Sequence, residues 1–193
     1  MRITVIGTGN IGGTLGQRFQ AAGHEVAYGG RSAGGQGPGG APVLAVGDAL
    51  AGAAVVLLAV PGPAVAEVIA PHGAVLDGKV VIDATNNIGA AEVDAHAAVT
   101  AAAPGAYYAR AFNTLGWENF AEPPPGAVLF YAADAGARPA AEELITAVGL
   151  EPVLVGDAGA IGAVDALLPL WFALVQQHGG NRRIALRITQ VTQ

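Results

Sequence analysis

The chain contains no cysteine. That excludes a disulfide frame, a thiolate nucleophile and any cysteine-ligated metal. Charge is scarce as well: Asp, Glu, Lys and Arg make up 12% of 193 residues, and nine basic against fifteen acidic side chains leave a formal net charge of −6. With neither a basic stripe nor an arginine-rich run to neutralise a phosphate backbone, no nucleic-acid partner is expected. The four histidines, at 24, 72, 96 and 178, are scattered without ligand spacing, so no metal site is expected. Apolar residues reach 52%, yet no run of about eighteen lacks Gly, Pro or charge, and the first residues read as a strand instead of a signal peptide. The expectation is a soluble cytoplasmic protein with no membrane partner, of a length that fits one domain or one domain with a small appendage.

What is present is concentrated at the N-terminus. Ile3, Val5 and Ile6 form a short apolar run, and Ile11, Leu15 and Phe19 then recur every four residues, so a buried strand turns directly into an amphipathic helix. Between them lies Gly7-x-Gly9-x-x-Gly12. In a dinucleotide-binding unit the first glycine makes the tight turn, the second lets backbone N–H groups approach a pyrophosphate, and the third lets helix and strand pack closely. The helix N-terminus adds the positive end of its dipole. NAD enzymes usually carry Asp or Glu at the end of the second strand, about 20 residues on, to hold the ribose 2′-hydroxyl. Here Val26-Ala27-Tyr28 runs into Gly29-Gly30-Arg31-Ser32, and Glu25 is at the wrong end of the strand. Arg31 offers a planar fork for a 2′-phosphate and Ser32 a hydroxyl donor, which selects NADP(H).

Residues 29–40 hold seven glycines and read as a loop beside the adenosine. Further on, Val43–Val46, Val55–Val60, Gly78–Asp83, Tyr107–Phe112, Val128–Tyr131 and Pro152–Val155 read as strands. Asp48–Gly52, Ala64–Ala70, Ala90–Ala103 and Arg138–Val148 read as helices. This alternation predicts an α/β chain, a Rossmann-type doubly wound, mostly parallel sheet over residues 1–157. From Ala158 the pattern changes to residues apolar on nearly every side, with Pro169 inside, followed by Gly179-Gly180 and a tail with Arg182, Arg183 and Arg187. Residues 158–193 are therefore expected to form a C-terminal helical segment for the acceptor site and for a homodimer. Asp83 reads as a cap or turn residue and Asp165 as a helix-surface charge.

Gly7-Thr-Gly-Asn-Ile-Gly12, Gly30-Arg31-Ser32, Leu58-Ala-Val-Pro61, Ile82-Asp-Ala-Thr-Asn86 and Arg110-Ala-Phe-Asn-Thr114 together resemble the deazaflavin (coenzyme F420)-dependent NADP oxidoreductase family. The chain departs from that pattern where Ala33-Gly34 follows the Arg-Ser pair with no basic residue, and where Arg110 stands in place of a common lysine. The resemblance implies hydride transfer between NADP(H) and a planar small-molecule acceptor, a deazaflavin or flavin. Thr8, Asn10 and Ile11 would line the pyrophosphate, Ala59, Val60 and Pro61 the ribose side, and Thr85, Asn86 and Asn113 the nicotinamide end. Trp117 and Trp171 are candidate stacking surfaces, with core packing as the other role of Trp171. No catalytic side chain is implied, because positioning supplies most of the rate and the cofactor carries the chemistry. Two other functions fit the same residues: reduction of another small acceptor such as a quinone or imine, and an NADP(H)-sensing module without turnover.

Overall fold

A computed structural model describes residues 1–189; the last four residues of the predicted C-terminal segment lie outside the described residues. Eight strands form one sheet in the order β3-β2-β1-β4-β5-β6-β7-β8. The chain runs β1 (Arg2–Ile6), α1 (Asn10–Ala21), β2 (Glu25–Gly30), β3 (Val43–Ala45), α2 (Val46–Gly52), β4 (Val55–Leu58), α3 (Val65–Ile69), α4 (Gly73–Leu76) and β5 (Val80–Asp83). It continues with α5 (His96–Ala102), β6 (Tyr107–Arg110), α6 (Glu118–Ala121), β7 (Val128–Ala133), α7 (Arg138–Val148), β8 (Glu151–Gly156), α8 (Ile161–Asp165) and α9 (Leu167–Gln177). Every neighbouring pair is parallel except β6 with β7. This is the Rossmann-type α/β architecture that the strand and helix alternation predicts.

Because both faces of the sheet are covered, its central strands are apolar without a break. All four residues of β4 are buried, and successive side chains go to opposite layers: Val55 and Leu57 join Leu15, Phe19, Phe112, Phe120 and Leu144, whereas Val56 and Leu58 join Leu50, Val65, Ile69 and Val99. The strand order reverses between β1 and β4, so the connections leaving these two strands go to opposite sides and open a crevice at their carboxyl ends.

One expectation needs correction here. The helix expected over Ala90–Ala103 begins only at His96. Asn87 N–H donates to Val93 O, and Ala95 N–H donates to the buried carboxylate of Asp83 across 2.7 Å, so residues 87–95 are folded back against β5. The apolar run from Ala158 does not wind as one regular helix; α8 ends at Asp165, and Pro169 sits in the first turn of α9, where its missing N–H costs little. By length and composition Ala158–Gln177 would suffice to cross a membrane. Ile161, Val164, Leu168 and Trp171 are nevertheless buried, while Leu170 and Phe172 are exposed. The tail after Gly180 folds back: Leu186 bridges to Val128, Trp171 Nε1 donates to Ile184 O, and Arg182 and Arg183 pair with Glu118 and Glu122.

Candidate functional site

The turn between β1 and α1 assigns each of its glycines a separate task. Gly7 has φ +115°, a conformation that disfavours any side chain, and a Cβ there would strike the carbonyl of Ala59. At Gly12 a Cβ would run into the carbonyl oxygen of Gly7, so the helix approaches the turn as closely as backbone allows. Gly9 is different, since a Cβ there would meet nothing within 4 Å. Gly9 is also the N-cap of α1, with no side chain to cap the first-turn amides and no acidic residue in that turn. Free amides, a helix dipole and open space therefore coincide at one point, and a diphosphate matches all three.

The crevice gathers residues from four segments: Ile6–Gly9, Gly29–Arg31 with Val46, Ala59–Pro61, and a wall from Ala64, Glu67, Val68, Pro71 and His72. An adjoining hollow is lined by Thr8, Arg31, Ser32, Gln36, Gly37, Pro38 and Val43. Arg31 and Thr8 belong to both, so the glycine turn after β1 and the Arg-Ser pair face one continuous depression. No carboxylate stands at the end of β2, whose final residues are Gly29 and Gly30. The wall after Pro61 escaped the sequence reading, because two short helical turns carry too little periodicity to show which face points inward.

Thr85, Asn86 and Asn113 lie beyond Pro61, in loops at the carboxyl ends of β5 and β6. They are joined to each other instead of lining the crevice. Asn86 Nδ2 donates to Asn113 O across 2.8 Å, Thr85 donates through both N–H and Oγ1 to Asp83, and Asn113 Nδ2 donates to Asp165 Oδ1 across 2.8 Å. Thr85 and Asn113 are buried. Between them Phe112 has φ +64°, the one positive value outside glycine among the described residues. A phenylalanine keeps such a conformation only where its surroundings over-determine it. Phe19 and Phe120 grip its ring edge-on, with centroids 6.2 and 5.6 Å away.

Beneath these loops is a buried charge cluster that extends one reading and corrects another. Asp83 has the expected cap and turn role, accepting from Thr85 N–H two residues on and from Ala95 N–H before α5, and beyond it, fully buried, it accepts from Tyr108 and lies 3.1 Å from Arg110 Nη1. Asp165 is not a helix-surface charge, since its side chain is 10% exposed and it binds Arg110 Nε across 2.8 Å. Burial raises the pKa of Asp165, with Arg110 opposing that shift. Burial, and next the Asp83 carboxylate, also push the Tyr108 phenol far up. An arginine within an apolar strand was the signal for all this, because a buried guanidinium requires partners. Trp171 takes the packing role: it is 5% exposed, its Nε1 is bonded, and Arg182 lies 5.1 Å from its ring centroid.

The comparisons with known proteins agree with this architecture. Residues 2–87 match the family described as NADP oxidoreductase, coenzyme F420-dependent, so the resemblance read from the motifs is borne out over that segment. No curated protein sequence matches the chain. Among solved structures, a protein from Arthrobacter sp. FB24 whose name suggests an F420-dependent NADP-reductase superposes with a TM-score of 0.84 at 23% identity, covering 98% of this chain and 100% of that one. A hypothetical protein from Sinorhizobium meliloti gives a TM-score of 0.67 at 27% identity over 98% and 96% of the two chains. An imine reductase from Streptomyces aurantiacus gives 0.67 at 20% identity over 92% of this chain, which spans 62% of that longer one. These likenesses show the fold.

Proposed function

We propose that the protein is an NADP(H)-dependent oxidoreductase that transfers a hydride between NADPH and a deazaflavin or flavin. The observation that carries the reading is the crevice at the β1/β4 switch point, which begins at the open Gly9 turn and ends on Arg31 and Ser32, with no carboxylate at the end of β2. Gly7 to Gly12 would hold the pyrophosphate through backbone N–H groups, and the Arg31 fork with Ser32 would hold a 2′-phosphate. Ala59 to Pro61 form an apolar shelf beside the ribose, and the Thr85–Asn86 and Asn113 loops stand at the nicotinamide end. When bound, NADPH supplies the hydride itself, so the chain's contribution is to fix the two rings against each other and to keep water out.

The resemblance of residues 2–87 and the mostly amide and hydroxyl character of the loop ends favour a flat, self-sufficient acceptor such as a deazaflavin or flavin. A second reading, reduction of a small imine or similar acceptor, is favoured by one observation: a carboxyl group, that of Asp165, lies one hydrogen bond from Asn113. On either reading we place the protein in the cytoplasm with no nucleic-acid or membrane partner. We also place it in a homodimer, through the edge strand β8 and helix α9, where Leu154, Val155, Leu170 and Phe172 are exposed. Sedimentation at twice the chain mass of 19.1 kDa checks the dimer.

The deciding experiment mixes purified protein with NADPH or NADH and each of F420, FMN, FAD, a quinone and a cyclic imine, following loss of reduced-nicotinamide absorbance. Turnover of a deazaflavin or flavin with NADPH preferred is expected. Turnover of the imine alone moves the assignment to the second reading, and tight NADPH binding with no acceptor leaves a sensing module.

A further inference from the structure

Arg110, the last residue of β6, is fully buried and spends its donors on three different parts of the chain. Nη1 donates to Thr85 O across 2.5 Å and lies 3.1 Å from Asp83 Oδ2, Nη2 donates to Asn86 Oδ1 across 3.0 Å, and Nε donates to Asp165 Oδ1 across 2.8 Å. The same Asp165 oxygen accepts from Asn113 Nδ2. Asn86 completes the circuit, because its Nδ2 donates to Asn113 O. The Thr85–Asn86 loop is thus bonded to the guanidinium directly and the Asn113 loop through Asn86 and Asp165, and Asp165 is the member of this circuit that comes from the C-terminal helical segment.

From this geometry we infer that Asp165 is a positioning residue for the nicotinamide end: acting through Arg110 and Asn113, it holds the Thr85–Asn86 and Asn113 loops in the single arrangement that receives the ring. The inference rests on the proposed NADP(H) reading of the crevice. Asp83 cannot do this work alone, since its two oxygens are already engaged by Thr85, Ala95 and Tyr108. A planar guanidinium bound at Nη1 and Nη2 on one edge is free to tilt until Nε is also fixed. With Asp165 in place the tilt is set, and so is the choice of Asn86 Oδ1 as acceptor and Asn86 Nδ2 as donor. Asn113 depends on the same oxygen, and it directly follows Phe112, whose left-handed backbone persists only while its neighbours hold it. Loss of the Asp165 charge therefore releases both loops together, while Gly7–Gly12 and Arg31–Ser32, on the other side of the switch point, keep their own bonds.

The test is to measure calorimetric affinities of wild type and Asp165→Asn for NADP⁺ and for 2′,5′-ADP, which carries the adenosine half alone. Asn is close in size and lacks the charge. NADP⁺ affinity is expected to fall about tenfold while 2′,5′-ADP binding stays within about twofold, the selective loss that misplacement at one end of a ligand produces. If both ligands weaken together, Asp165 is merely structural; if neither changes, the loops do not depend on it. Either result overturns the inference. Should Asp165→Asn lack a cooperative melt, the smaller Asp165→Ser, which also removes the carboxylate, must show the same split, and its absence is equally decisive. A wild type that binds 2′,5′-ADP as tightly as NADP⁺ refutes the positioning and leaves the adenosine site standing, whereas a wild type that binds neither removes the NADP(H) reading itself.

Discussion

The hydroxyl of Tyr108 donates to Asp83 Oδ2 across 2.6 Å, joining adjacent strands beneath the loops that end them. Asp83 Oδ2 also accepts from Ala95 N–H, and Oδ1 accepts twice from Thr85. Asp83→Asn keeps the shape but turns one oxygen into a donor facing donors, and it removes one of the two carboxylates that neutralise Arg110. Breaking a buried ion pair from one side costs about 3–5 kcal/mol. For a chain of this length that lowers the melting midpoint by roughly 6–20 °C. Thermal melts check this, and a shift under about 2 °C would mean that Asp165 alone satisfies the guanidinium.

Arg31 tests the nucleotide. It is exposed and lines both parts of the depression. A hydrogen bond to a charged group is worth about 1.5–3 kcal/mol, so Arg31→Ala is expected to weaken NADPH binding roughly 10- to 100-fold and leave NADH nearly unchanged. Titration calorimetry with both nucleotides measures it. Equal loss for the two would place Arg31 away from the 2′-phosphate.

Tyr28 carries a pH signature of its own. Its side chain is fully buried, its hydroxyl finds no acceptor among the described residues, and burial pushes its pKa up to about 12. An unfolded phenol ionises near 10. Between those values the folded state holds the proton more firmly, so stability present below about pH 10 is lost as pH rises through 10 towards 12. Tyr28→Phe removes that loss along with an unpaired hydroxyl, and it is expected to match or exceed wild-type stability at pH 7, by up to about 1 kcal/mol. Its advantage should widen above pH 10, although Tyr108 and Tyr131, also raised by burial, keep part of the alkaline slope. Urea melts at pH 7 and 11 decide the matter. A variant less stable than wild type at pH 7 would show that the hydroxyl has a partner.

Local patterns carried most of the fold. The helix over Arg138–Val148 coincides with its expected limits because Pro139 opens it and Gly149, with φ +91°, closes it, both signals written in neighbouring residues. The N-terminal turn was legible for the same reason, since each glycine's task depends on residues nearby in sequence or on the next parallel strand. What stayed hidden depended on distant pairing. Asp165 reads as a surface charge because its partner is 55 residues away, and the ion pair that Asp83 adds to its turn role is hidden because the register that sets it beside Arg110 exists only after β5 and β6 pair. His72 and Pro71 could not be placed on the crevice wall from a stretch too short to show a period.

Gly9 and Gly12 separate binding from folding. Gly9 has φ −70°, ordinary for alanine, and an added methyl would meet no atom within 4 Å. Replacing this N-cap costs about 1 kcal/mol or less. The methyl nevertheless projects where the backbone has to approach a diphosphate, so Gly9→Ala is expected to melt within a few degrees of wild type and to bind NADPH at least about tenfold more weakly. Gly12→Ala puts its methyl onto the Gly7 carbonyl oxygen and 3.1 Å from Val5 Cγ1, both held by the sheet and the turn. Relief requires α1 to move off β1, an overpacking cost of about 1–3 kcal/mol, so stability and affinity should fall together. Melts and NADPH titrations of the two variants, run side by side, give the contrast. If Gly9→Ala binds NADPH as wild type does, the open space beside Gly9 is not the pyrophosphate site, and the crevice must be reassigned whatever Gly12→Ala does.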